Sequence, residues 1–148
     1  MPDKPKHWYM ASDVWISLIS NLMTDDAIER RSNLEHFVQD AMDGKAQLFV
    51  STVTIVEVVR TESVKVLPVQ VPADVRQKIT DLFEEPYITP VPLDPARASE
   101  ARDLRWKHPW LRTMDAIELA SALYAKVEVM YTYDGSGAKR GLISLDGQ

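Results

Sequence analysis

Hydrophobic residues along this chain switch between two periods, one suited to strands and one to helices. After a short aromatic run at residues 7–10, Val14, Trp15, Leu18, Ile19 and Leu22 fall three and four apart, as on one helix face. A strand is therefore expected to give way to a helix at Ser12 or Asp13, both residue types that cap helices well. The same spacing predicts a second helix over 25–42, with Ile28, Leu34, Phe37, Val38 and Ala41 turned inward and Gly44 ending it. Residues 47–51 read as a buried strand and 52–60 as the start of another helix. From 61 to 72 the period is lost and prolines enter, which predicts a loop. Helical spacing returns at Val75, Ile79, Leu82 and Phe83, within 74–84, before a short strand at 87–91 between Pro86 and Pro92. A helix over 94–107 carries Pro95 just inside its start. The clearest helix covers 113–126, the clearest late strand 127–132, and residues 141–145 are expected to add an edge strand.

Strands alternating with helices predict an α/β fold, a parallel central sheet flanked by helices on both faces. With no internal repeat or linker in 148 residues, a single domain over 1–148 is expected. In such a sheet the site forms where the carboxyl ends of neighbouring strands meet. Trp15, Ile19 and Leu22, with Val56, Val58 and Val59, are expected in the core.

Composition narrows the function classes. No apolar run approaches the roughly 18 residues of a membrane span. The opening residues, Met1 to His7, lack the apolar centre of a secretory signal, so a cytoplasmic protein that engages no membrane is expected. Cysteine is absent, which removes disulfides, thiolate nucleophiles and the usual zinc sites. Seventeen basic against 22 acidic residues leave a net charge of −5, unfavourable for nonspecific attraction to phosphate. A local basic group, Arg97, Arg102, Arg105, Lys107 and Arg112, reads either as a solvated helix face or as a docking patch. His7, His36 and His108 share no ligand spacing and read as surface or structural.

Three acids stand out. Glu57 lies in the apolar stretch Thr52-Val53-Thr54-Ile55-Val56-Glu57-Val58-Val59, where a carboxylate is costly to bury unless paired, protonated or bound to a cation. Its structural alternative is a capping box formed by Thr54 and Glu57. Asp115 opens the helix at 113–126, where the helix dipole favours an acid whatever its function. Asp134 follows the strand at 127–132, and Asp134-Gly135 is also an ordinary turn signal.

Taken together, these segments resemble the PIN-domain ribonuclease family. The family's second motif, strand, Ser/Thr and a helix with an embedded glutamate, is matched by Ser51 to Glu57. Its third, Asp-Ala before an alanine-rich helix, is matched by Asp115-Ala116 to Ala122, and its fourth by Thr132-Tyr133-Asp134. The resemblance spans nearly the whole chain, whose size suits the small members that act as VapC-like toxins of toxin–antitoxin systems. It implies a metal-dependent endoribonuclease with Mg²⁺ or Mn²⁺ held by Asp115, Asp134 and Glu57, an RNA substrate, a cognate antitoxin protein and a homodimer. Arg112, Lys139 and Arg140 flank the acids and are expected to hold RNA phosphates.

The first motif departs from the family. Its aspartate position falls on Ala11, with Asp13 two residues on. Either Ala11 has replaced a catalytic aspartate, in nature or by deliberate substitution, or Asp13 has assumed the role. Two other readings stand beside the nuclease: a PIN scaffold that binds RNA or protein without catalysis, and an unrelated doubly wound domain using Mg²⁺ for another phosphoryl chemistry.

Overall fold

The computed structural model describes residues 4–19, 25–59 and 71–132. Asp134, Lys139, Arg140, Leu22, most of the expected loop at 61–72 and the expected edge strand at 141–145 lie outside them.

Among the described residues, four strands form one parallel sheet: β1 (Lys6–Met10), β2 (Ala46–Ser51), β3 (Ile88–Val91) and β4 (Val129–Tyr131), in the spatial order β3-β2-β1-β4. The helices are α1 (Ser12–Ile19), α2 (Asp25–Met42), α3 (Thr52–Glu57), α4 (Ala73–Phe83), α5 (Pro95–Lys107) and α6 (Thr113–Tyr124). The α/β architecture with a parallel sheet between helices is thus the one expected from the alternation of periods.

Alternation along the strands feeds two apolar clusters. Trp8 and Met10 of β1 with Ala46, Leu48 and Val50 of β2 pack against Val14 and Trp15 of α1, Leu34 of α2 and Phe83 of α4. The buried Trp15 indole donates to the Met10 carbonyl at 3.0 Å and meets the Phe83 ring edge-on, its centroid 5.5 Å away. Met130 of β4 turns to the second cluster, built from Ala101 of α5, Leu111, and Ala116, Ile117 and Ala120 of α6. Small residues at 116 and 120 let α6 lie close to the sheet.

Local chemistry explains most element ends. Asp94 caps α5, its side chain accepting from the Arg97 N–H at 2.8 Å, and Pro95 fills the first turn. α2 closes in a Schellman turn: Gly44 donates to Ala41 O, Lys45 to Asp40 O, and Gly44 takes φ +80°. α6 closes the same way, Lys126 donating to Leu123 O and Val127 to Ala122 O, but here a lysine holds the left-handed position at φ 53°.

Three expectations about side chains are corrected. Ile28 is exposed on α2. Val56 and Val59 are also exposed, at 74% and 50%, while Val58 is buried. α3 stops at Glu57, so its few residues present one narrow face to the sheet and leave the other in solvent.

Candidate active site

β1 lies inside the sheet, and the chain leaves it on one side to build β2 and β3, then returns on the other as β4. The crevice beyond the carboxyl ends of β1 and β4 is therefore the topological switch point, where open α/β sheets bind ligands. Ala11 sits there, buried, its N–H donating to the Tyr131 carbonyl at 3.0 Å. Asp13 opens α1 beside the end of β4, where the Thr132 hydroxyl lies 3.5 Å from Asp13 Oδ2. The chain thus enters the Thr-x-Asp segment next to Asp13.

Ser12, between these two, is the junction of the site. Its hydroxyl lies 2.7 Å from Glu57 Oε1 and 2.9 Å from Glu118 Oε1, and its backbone N–H donates to Glu118 Oε1 at 2.8 Å. Thr54 completes the group, its hydroxyl donating to Glu118 Oε1 at 3.0 Å and lying 3.2 Å from Ser12 Oγ. Beneath them Tyr9 accepts from the Ser51 N–H at 3.1 Å and hydrogen-bonds with the Thr54 side chain. Three helices, α1, α3 and α6, are tied to one another through side-chain oxygens.

Glu57 therefore joins this network through Ser12, and the capping-box alternative is corrected. The cap of α3 is Ser51, whose side chain accepts from Val53 N–H at 3.2 Å, and Thr54 is already inside the helix with its hydroxyl turned to Glu118. Glu57 closes the helix instead of opening it.

Asp115 is buried in the first turn of α6, one turn before Glu118 and on the same face. Arg112 Nε meets Asp115 Oδ2 at 2.7 Å, with the arginine largely in solvent and the acid largely out of it. Of the residues expected at the site, Ala11, Asp13, Glu57 and Asp115 lie at or beside the carboxyl edge, and Arg112 touches Asp115. Asp134, Lys139 and Arg140 fall outside the described residues.

Glu118 was missed, although the sequence carried its signal. It is an acid among Ala116, Ile117, Leu119 and Ala120, three residues after Asp115, and the burial argument applied to Glu57 applies equally to it. Burial pushes its carboxyl up to about 7; hydrogen bonds from Ser12 and Thr54 work against that shift, and the charge of Glu57 adds to it. Ser12 has one hydroxyl proton for two carboxylates, so a proton on Glu118 removes a conflict that two ionised acids would create. Burial also raises the Tyr9 phenol well above its ordinary value, followed by the charge of Glu118, which keeps Tyr9 a neutral hydrogen-bonding group.

The network offers oxygen alone, from carboxylates and hydroxyls, the donor type that suits Mg²⁺ and Mn²⁺ over softer metals. Among the described residues, no group of three or more His, Cys, Asp or Glu side chains is placed to hold a metal ion. The donors fit such a cation in kind, and Asp13, Glu57, Glu118 and Asp115 are described acids at or beside the carboxyl edge.

No helix among the described residues is long and apolar enough to cross a membrane. No curated protein matches the chain. The family model described as PIN domain does match, over residues 13–140, starting just after Ala11 and Ser12 and taking in Glu57, Asp115 and Asp134. With most of its length covered by that match, the chain belongs to the PIN-domain family.

Proposed function

We propose that this protein is a metal-dependent ribonuclease of the VapC-like toxin type, cleaving RNA phosphodiester bonds and impaired by alanine at position 11. Family membership supports the reading, and one observation carries it: a single hydroxyl, Ser12, joins acids from two helices at the switch point beside Ala11. Asp115 and Asp134 are the residues that would hold Mg²⁺ or Mn²⁺, with Glu57 orienting the attacking water. A divalent cation, when bound, offsets the repulsion of the clustered acids and stabilises charge on the phosphate. Ser12 and Glu118 keep the start of α1 against α6, fixing position 11 relative to Asp115. Arg112, Lys139 and Arg140 are assigned to phosphate binding at the rim.

The test is cleavage of single-stranded RNA with Mn²⁺ by this chain and by Ala11→Asp. Strong cleavage by Ala11→Asp with little by the parent is the expected result. Absence of cleavage in both would favour the second reading, a PIN scaffold that binds RNA or protein without cutting. That reading draws support from the buried methyl group at position 11.

The proposed partners are a cognate antitoxin protein and a second copy of the chain. Ile55, Val56 and Val59, exposed around the end of α3, provide apolar area for such a contact. Sedimentation showing only monomer at micromolar concentration would count against the dimer.

A further inference from the structure

The five cations between residues 97 and 112 do not form one patch. Arg97 is bound to Glu100 at 2.9 Å and lies over the Tyr124 ring, 3.8 Å from its centroid. Lys107 shares a shallow hollow with Glu100 and Asp103, so that side of α5 mixes both signs. On the other side of α5, Arg102 and Arg105 line a cavity of about 480 Å³ with Trp106, Leu93, Thr113 and Ile117, and none of its lining residues is acidic. In a chain of net charge −5, one helix has sorted its charges so that a cationic, aromatic hollow opens beside the first turn of α6.

Trp106 is unusual among the four tryptophans. It is 70% exposed, whereas Trp8 and Trp15 are buried in the core. A large indole left in solvent forgoes the burial that normally stabilises it. The Arg102 guanidinium lies 4.8 Å from its ring centroid, and the high exposure leaves much of the ring open. Arg105 is held by a bond from Nε to the Leu111 carbonyl at 3.2 Å, which fixes the guanidinium while leaving its other N–H groups to bind. A flat ring, two guanidinium groups and an apolar floor are the complement of a nucleotide: a base to stack and a phosphate to neutralise.

We propose that this hollow is a subsite for one unpaired nucleotide of an RNA strand, its base stacking on Trp106 and its phosphate held by Arg102 and Arg105. Thr113 and Ile117 line the hollow at the start of α6, whose first turn carries Asp115 on another face, so the hollow and the acidic edge lie at the same end of that helix. The assignment rests on the ribonuclease reading and adds a preference for single strands, because duplex bases cannot stack on a side chain.

The test is equilibrium binding of a single-stranded uridine decamer and of a duplex of the same length to the full chain in EDTA, read by tryptophan fluorescence and by anisotropy of labelled RNA. The single strand is expected to quench the indole and to bind more tightly than the duplex. Trp106→Ala should weaken it about tenfold, whereas Trp106→Phe keeps most of the affinity. The Arg102→Ala/Arg105→Ala pair should lower the slope of log affinity against log salt by about 0.7, the value for one phosphate on a single strand. Trp106 and both arginines are exposed, so the variants should keep the parent's circular dichroism. RNA binding unchanged by Trp106→Ala would overturn the subsite and leave the nuclease reading intact. A parent that binds no RNA at all would overturn both. Quenching of Trp106 by polyglutamate and not by RNA would also overturn the subsite, assigning the hollow to an acidic protein segment.

Discussion

Ser12 meets two carboxylates with a single hydroxyl proton, so the protonation of Glu118 governs how comfortably the junction closes. Its carboxyl is raised from 4.5 to about 7 chiefly by burial. The folded protein therefore keeps a proton that the unfolded chain releases, and its stability should fall as pH rises from about 4.5 to about 7, then level off. The full span corresponds to about 3 kcal/mol. Urea denaturation of the metal-free protein across that window would show the decline, and Glu118→Gln should flatten it. An equal slope in both proteins would mean that another group carries it. Glu57 was legible in the sequence because an acid in an apolar stretch demands a reason, yet the reason was found only in space: Ser12 reaches it across 45 positions. Glu118 carried the same demand and was hidden by Asp115, which had already explained the helix start.

At the scale of elements, α2 and α6 end in the same hydrogen-bonded turn with different residues at its left-handed position. Gly44 marks the end of α2 openly, and the expected bounds of that helix, 25–42, coincide with the observed ones. Lys126 gives no such signal, so the expected helix ran on to 126 and the strand after it began too early. A lysine at φ 53° carries a Cβ cost that glycine does not. Lys126→Gly is therefore expected to stabilise the protein by about 1 kcal/mol in denaturant titrations; a loss of stability would show that the lysine side chain matters more than its backbone strain. Periodicity also fails where an element is too short to sample a full face. α3 has six residues, so the run of valines around it could not reveal that Val58 turns inward while Val56 and Val59 do not.

For the whole molecule, the proposed cation would link metal binding to stability through position 11. A carboxylate introduced at this buried position, near Glu57 and Glu118, would add unbalanced negative charge. Ala11→Asp should accordingly unfold at a lower temperature than the parent in EDTA. Saturating Mn²⁺ should then raise its midpoint by about 5–10 °C, as expected for a ligand at about a hundred times its dissociation constant. The parent should respond far less. Equal responses in thermal scans would show that position 11 has no part in holding the ion. The parallel sheet was readable from alternating periods alone, since it depends on patterns many residues long, whereas the strand order that sets the switch point was not. Which oxygen faces which depends on three helices meeting, and no single stretch of sequence records that.

The strand order has a consequence for how the molecule is made. β1 is made well before its partner on one side, β4, which comes more than a hundred residues later; Thr132 and Asp13, at the ends they bring together, are 119 positions apart. Until β4 arrives, one edge of β1 has no strand to pair with, and the crevice beyond it has only one wall. Nascent or prematurely terminated chains would thus be sticky and idle. A crevice built on this plan is complete only once β4 has joined the sheet.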